Sequence, residues 1–159
     1  MKFIVLSFAL LLPPQIFASD SKDFLANYFE SIPKPERIWI DKDKKKQIIS
    51  KFNPSQIKLS YRYWQKDGMT IWILDEIGKE RNITTAVVIE YGLVKSVDVI
   101  TYRESRGGAI QSKRFTTQYQ QKSKTSHFEK EIDSISGATL SVNAVNKQVH
   151  LALYLDSLR

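Results

Sequence analysis

Apolar residues Phe24, Tyr28 and Ile32 recur at helical spacing until Pro33 and Pro35 interrupt the chain, which predicts a short amphipathic helix opening at Ser19-Asp20. Arg37-Ile38-Trp39-Ile40 then reads as a strand. Residues 44–52 read as a second helix, with Ile48, Ile49 and Phe52 on one face and Pro54 closing it. From Leu59 the period changes to two. Leu59, Tyr61 and Tyr63 alternate with polar neighbours, Lys66-Asp67-Gly68 breaks the run, and Thr70-Ile71-Trp72-Ile73-Leu74 resumes it, a hairpin pattern. Two further β-branched and aromatic runs, 83–91 and 93–102, flank Gly92 and predict a second antiparallel pair.

Gly107-Gly108 marks a loop in an Arg/Glu/Ser-rich stretch, and Phe115 and Tyr119, four apart, predict another short helix over 112–121. Residues 122–130 are polar and read as a surface loop, and 131–135 as strand-like. The strongest helical pattern covers 138–158. It has Val142, Val145, Val149 and Ala152 on one face and Leu140, Ala144, Leu151 and Leu155 beside it. Strands and helices outside strict alternation make an α+β fold, an antiparallel sheet of four or five strands with flanking helices. The expected organisation is a signal peptide over 1–18, a helical and extended segment over 19–58 packing on the domain, and the domain proper over 59–159. There is no internal repeat.

The first stretch differs from the rest. Lys2 precedes a nearly continuous apolar run to Leu12, and Ile16-Phe17-Ala18 offers a cleavage site, the pattern of a secretory signal; the alternative is a retained anchor. The run is about half of what a bilayer-spanning helix needs. The expected location is therefore the periplasm or the outer face of the cytoplasmic membrane. The chain has no cysteine, which excludes disulfides, iron–sulfur ligation, thiol catalysis and c-type haem attachment. Redox chemistry would require a bound organic cofactor.

The net charge of +7 would suggest nucleic acid in a cytosolic protein. In an exported one it points instead to anionic lipid, envelope polymer or an acidic partner. Lys42, Lys44, Lys45 and Lys46 form the tight cluster and sit beside Asp41 and Asp43, as on a solvated helix face. His127 and His150 lack a second ligand at metal spacing. Trp39, Trp64 and Trp72 fall in strand-like runs and read as core or rim. No Ser-His-Asp or paired-carboxylate arrangement emerges, so a carrier is preferred to an enzyme.

The segment Asp133-Ser134-Ile135-Ser136-Gly137-Ala138-Thr139-Leu140-Ser141 falls at the start of the last helix. Three small residues there leave backbone amides uncovered, and amides at the positive end of a helix dipole attract anions, phosphate above all. Thr139 adds a hydroxyl in the first turn. The plainer alternative makes Ser136 an N-cap and Gly137 a bend.

The pattern Asp133-x-x-Ser136-Gly137-Ala138-Thr139-x-Ser141 resembles the flavinylation motif of the FMN-binding domain family, which includes the flavin-carrying periplasmic subunits of sodium-pumping NADH:quinone reductase and of its ferredoxin-linked relative. Gly92-Leu93-Val94-Lys95, Tyr102-Arg103-Glu104-Ser105-Arg106-Gly107, Arg114-Phe115 and Gln118 extend the similarity over roughly 77–158. The resemblance implies FMN bound covalently through its phosphate to Thr139, with Asp133, Ser136, Gly137, Ala138 and Ser141 completing the motif. It also implies a magnesium-dependent FAD:protein FMN transferase as modifying partner, and a membrane or periplasmic redox partner rather than nucleic acid. Relatives in the respiratory subunits carry a proline in the loop where this chain has Ser105-Arg106-Gly107. That loop would suit the flavin ring, with Gly107 and Gly108 allowing close approach, Arg103 or Arg106 stabilising negative charge on a reduced ring, and Glu104 ordering the loop or meeting a flavin hydrogen bond; the plainer alternative is a polar hairpin loop. The competing functions are a basic envelope- or membrane-surface-binding module with an unflavinylated site, and a stand-alone flavin reductase.

Overall fold

The computed structural model describes residues 18–159, and five antiparallel strands in the order β1-β2-β3-β4-β5 form its centre. They are β1 (Glu36–Trp39), β2 (Ser60–Lys66), β3 (Met69–Ile77), β4 (Asn82–Glu90) and β5 (Leu93–Thr101). Two of the connections are two-residue turns. Asp67 and Gly68 have φ of 49° and 82°, and Tyr91 and Gly92 have 51° and 77°, the left-handed conformations whose twist matches the strands they join.

β4 is buried along nearly its whole length because both of its faces are covered. On one face α5 (Thr139–Asp156) places Val142, Val145, Val149, Ala152 and Leu155 in one cluster with Trp72, Leu74, Ile83, Val87 and Ile89. Burial of each large aliphatic side chain there contributes about 1.5–3 kcal/mol. On the other face Leu25 of α1 (Ala18–Ala26) and Phe29 pack on Ile71 and Val88. The second helix, α2 (Lys42–Phe52), is capped by Asp41, whose carboxylate accepts from the Lys44 amide at 2.8 Å and pairs with the Lys44 ammonium. Lys42, Lys45 and Lys46 project from it into solvent, as a solvated face requires.

Several local expectations change. The first helix stops at Ala26 rather than running to Ile32, and its burial falls on Leu25 and Phe29 because those face the sheet. Residues 112–121 form a short α3 (Lys113–Thr116) followed by a 3₁₀ turn, Thr117–Tyr119. The stretch 122–130 is not wholly surface loop: Phe128 is fully buried and stacks on His150 with ring centroids 3.9 Å apart. It opens α4 (Phe128–Glu131), and no strand forms over 131–135. Part of the edge beside β5 is already taken, since Val94 exchanges backbone hydrogen bonds with Gln121 and Lys122, both at 2.8 Å. Ile49 and Leu140, assigned to apolar faces, are exposed. The expected signal segment lies outside the described residues except for Ala18, and no helix among the described residues is long and apolar enough to cross a membrane.

Candidate functional site

The helix α5 begins on Ala138, at φ −128° and ψ 18°, with no side chain capping it. Ser136, the alternative cap, does not fill that role. The amide of Val142 donates to the Ala138 carbonyl at 2.9 Å, so the amides of the first turn point ahead of the helical ladder, where an anion is favoured. Ser136, Gly137 and Thr139 are exposed, while Ala138 and Ser141 are buried. Gly137 has φ 76°, and a Cβ added to it would meet nothing within 4 Å. The Thr139 hydroxyl therefore stands beside open space at the positive end of an 18-residue helix.

The loop after β5 meets this turn. The Tyr102 hydroxyl donates to the Arg106 carbonyl and lies 3.3 Å from Ser141 Oγ. Gly107, at φ 91°, fits so closely that a Cβ would come 2.8 Å from the Tyr102 oxygen, 3.1 Å from the Ala138 methyl and 3.2 Å from Ser141 Oγ. The two stretches singled out in the sequence are thus in contact, and Tyr102 is the residue that joins them. In the sequence Tyr102 carries no sign of this role, because its position just after β5 gives no signal until the loop folds back. Gly107→Val is expected to cost at least about 2 kcal/mol, from left-handed backbone and from crowding, and to lift the loop off Ser141. Thermal denaturation of the purified variant checks this.

Glu104 has a definite task. Its Oε1 accepts from the backbone amides of Lys79, Glu80 and Arg81 at 2.7, 2.8 and 2.9 Å, tying the β3–β4 turn to the loop. Gly78 lets that carboxylate approach, since a Cβ there would lie 2.9 Å from it. The Arg81 and Glu80 amides, more than that of Lys79, hold the carboxyl below its usual range. A depressed folded pKa means that this stabilisation is present above the ordinary carboxylate range and is lost as pH falls through the lowered value. Glu104→Gln is accordingly expected to melt a few degrees lower than the parent at neutral pH, and the gap to close in acid, as followed by thermal melts across pH.

Ser105, Arg106 and Arg103 are exposed along the same loop. Asp133 is exposed as well, and its amide donates to Gln118 Oε1 at 2.8 Å, fastening the approach to α5 onto the turn after α3. His127 precedes α4, and His150 stacks on Phe128 and lies 3.1 Å from the Ser126 carbonyl. No group of three or more metal-ligating side chains occurs among the described residues. A cavity of about 790 Å³ lies under α1, lined by Lys22, Trp64, Ile73 and Asp75 among others, and shares no residue with the Thr139 turn or its loop.

The family model of the FMN-binding domain matches residues 78–154, from the β3–β4 turn to the last turns of α5. This segment is an FMN-binding domain of that family, and it supports flavin binding by the chain. No curated protein matches the chain. The residues present fit FMN. The uncapped helix start would receive its phosphate beside the exposed Thr139, and Gly137 leaves that approach unobstructed.

Proposed function

We propose that this protein is an exported electron carrier that holds FMN covalently, as a phosphate ester on Thr139. The observation that carries the reading is the exposed Thr139 hydroxyl at an uncapped helix start, inside the matched family segment. In attachment the Thr139 oxygen forms a bond to the FMN-side phosphorus of FAD, the pyrophosphate bond breaks, AMP leaves and the hydroxyl proton is released. A magnesium-dependent FAD:protein FMN transferase is the partner for that step. Ser136, Gly137 and Ala138 keep the approach clear, and the first-turn amides receive the phosphate charge. Ser141, held against Tyr102, fixes the loop that carries Ser105, Arg106 and Gly107.

FMN supplies one- or two-electron transfer when bound. The chain's part is to hold it at the surface, where the cationic side chains of Arg103 and Arg106 favour negative charge on a reduced ring. A tethered cofactor suits a compartment where lost flavin is not readily replaced, and a surface position suits exchange with a docked membrane or periplasmic redox partner. The test is co-expression of the full chain with an exported flavin transferase, followed by intact mass and in-gel fluorescence of the denatured protein. A gain of one FMN less one water in the periplasmic fraction is the expected result. An unmodified mass beside an active transferase would remove covalent flavin from the account.

A further inference from the structure

The strand register brings one end of the sheet into view as a surface of its own. Trp39 closes β1 opposite Ser60, Ile77 closes β3 opposite Asn82, and Thr84 near the foot of β4 faces Thr101 at the end of β5. Leu59 directly precedes β2, and its carbonyl accepts from the Ile40 amide at 3.0 Å. The start of α5 joins the same end through Tyr102 and Ser141. Four large apolar side chains are exposed here: Trp39 at 66%, Leu59 at 83%, Ile77 at 41%, and Leu140 next to Thr139. They are spread across a rim four strand spacings wide, roughly 19 Å, rather than gathered in one socket.

The same rim is basic. Lys42 follows it at the start of α2, with Lys45 and Lys46 exposed on that helix; Lys79 and Arg81 lie in the β3–β4 turn, and Arg106 in the loop. The acidic groups nearby are Glu104, which accepts from three amides, Asp41, which pairs with Lys44, Glu80, which pairs with Lys79 at 3.6 Å, and Asp43 in the first turn of α2, so the rim keeps a surplus of cations. At the opposite end Lys95 pairs with Glu90 at 3.2 Å and Arg159 with Asp156 at 3.0 Å. Asp20 in the first turn of α1 accepts from Thr101 Oγ1 at 2.6 Å, so the chain also enters the domain at the rim.

Separated tryptophan and aliphatic side chains interleaved with lysine and arginine match a bilayer interface, where aromatic rings sit at headgroup level and cations meet anionic lipid. We propose that this rim docks on an anionic lipid bilayer, resting on the carrier reading above, so that the flavin on Thr139 faces redox partners in the membrane. A compact acidic protein would instead find its cations together and its apolar contacts in one patch.

Trp39 is its own reporter, because Trp72 is fully buried and Trp64 donates its indole N–H to the Pro33 carbonyl at 3.1 Å. Full-length protein co-expressed with the transferase is mixed with phosphatidylglycerol–phosphatidylcholine vesicles carrying brominated acyl chains. The expected result is quenching of tryptophan emission that salt reverses and Trp39→Phe abolishes. Partition should fall at least tenfold in Trp39→Ser/Leu59→Ser, and about fivefold for each of Lys42→Gln and Lys45→Gln. Absence of quenching, equal binding to neutral vesicles, or unchanged partition in the serine pair would overturn the proposal, as would binding only to an acidic redox protein. Thr139→Val protein run in parallel should bind the vesicles like the parent, so loss of the carrier reading and loss of the docking surface register separately.

Discussion

Thr139→Val protein, co-expressed with the flavin transferase, is expected to carry no flavin at all and to keep its fold intact. Valine matches threonine in shape and β-branching but has no oxygen to bond to phosphorus, so incorporation should fall from complete to none rather than decline. Thr139 is exposed and its side chain caps nothing, so the exchange should change stability by no more than about 0.5 kcal/mol. Thr139→Ser keeps the hydroxyl and should retain part of the flavin. Intact mass and thermal midpoint, measured on the same samples, separate these outcomes. A flavin mass on the valine variant would move the attachment to another hydroxyl.

The second large effect lies in the core. Gln148, at 2% exposure, donates through Nε2 to the Leu74 carbonyl at 3.0 Å and the Ile83 carbonyl at 2.6 Å, and its Oε1 accepts from Thr85. One side chain thereby ties the middle of α5 to β3 and β4. No buried side-chain polar atom among the described residues lacks a partner, so this amide is part of a closed account of polar groups. Gln148→Leu keeps much of the volume but strips hydrogen bonds from a buried hydroxyl and two carbonyls. Each loss costs about 1–3 kcal/mol, and a total near 3 kcal/mol is expected. A domain of this size is stable by only about 5–15 kcal/mol. The thermal midpoint should drop by about 10 °C, and urea denaturation should show a lower midpoint with an unchanged slope.

Much of this architecture could be read from side-chain order because the sheet is built from neighbours. Asp67-Gly68 and Gly92 announce their turns, the alternation from Leu59 announces the strands, and the valine stripe of the last helix announces its buried face. Misreadings arose where tertiary packing overrode local composition. Phe128, isolated among polar residues, gives no period, yet it fills space beside His150. Residues 131–135 alternate apolar and polar positions like a strand, but Glu131 ends α4 and the Asp133 amide is bonded to Gln118. At the site, Thr139 and its small neighbours stand out in the sequence as a motif. The contact between that motif and the Gly107 loop does not, because it depends on Tyr102 reaching two partners at once and on Gly107 adopting φ 91°. Glu104 was legible only as a residue that orders the loop or meets a flavin hydrogen bond; its hold on three amides of another turn is a product of folding.

The uninterrupted strand order has a bearing on time as well as on shape. When every strand pairs with the next one in the chain, contacts are short in sequence and the sheet can zip hairpin by hairpin as the chain emerges. The helix bearing Thr139 arrives after all five strands and must dock across them to complete the core. The Thr139 hydroxyl thus comes last in the order of assembly, and a chain cut short before α5 would contain every strand while lacking the attachment point proposed for the flavin.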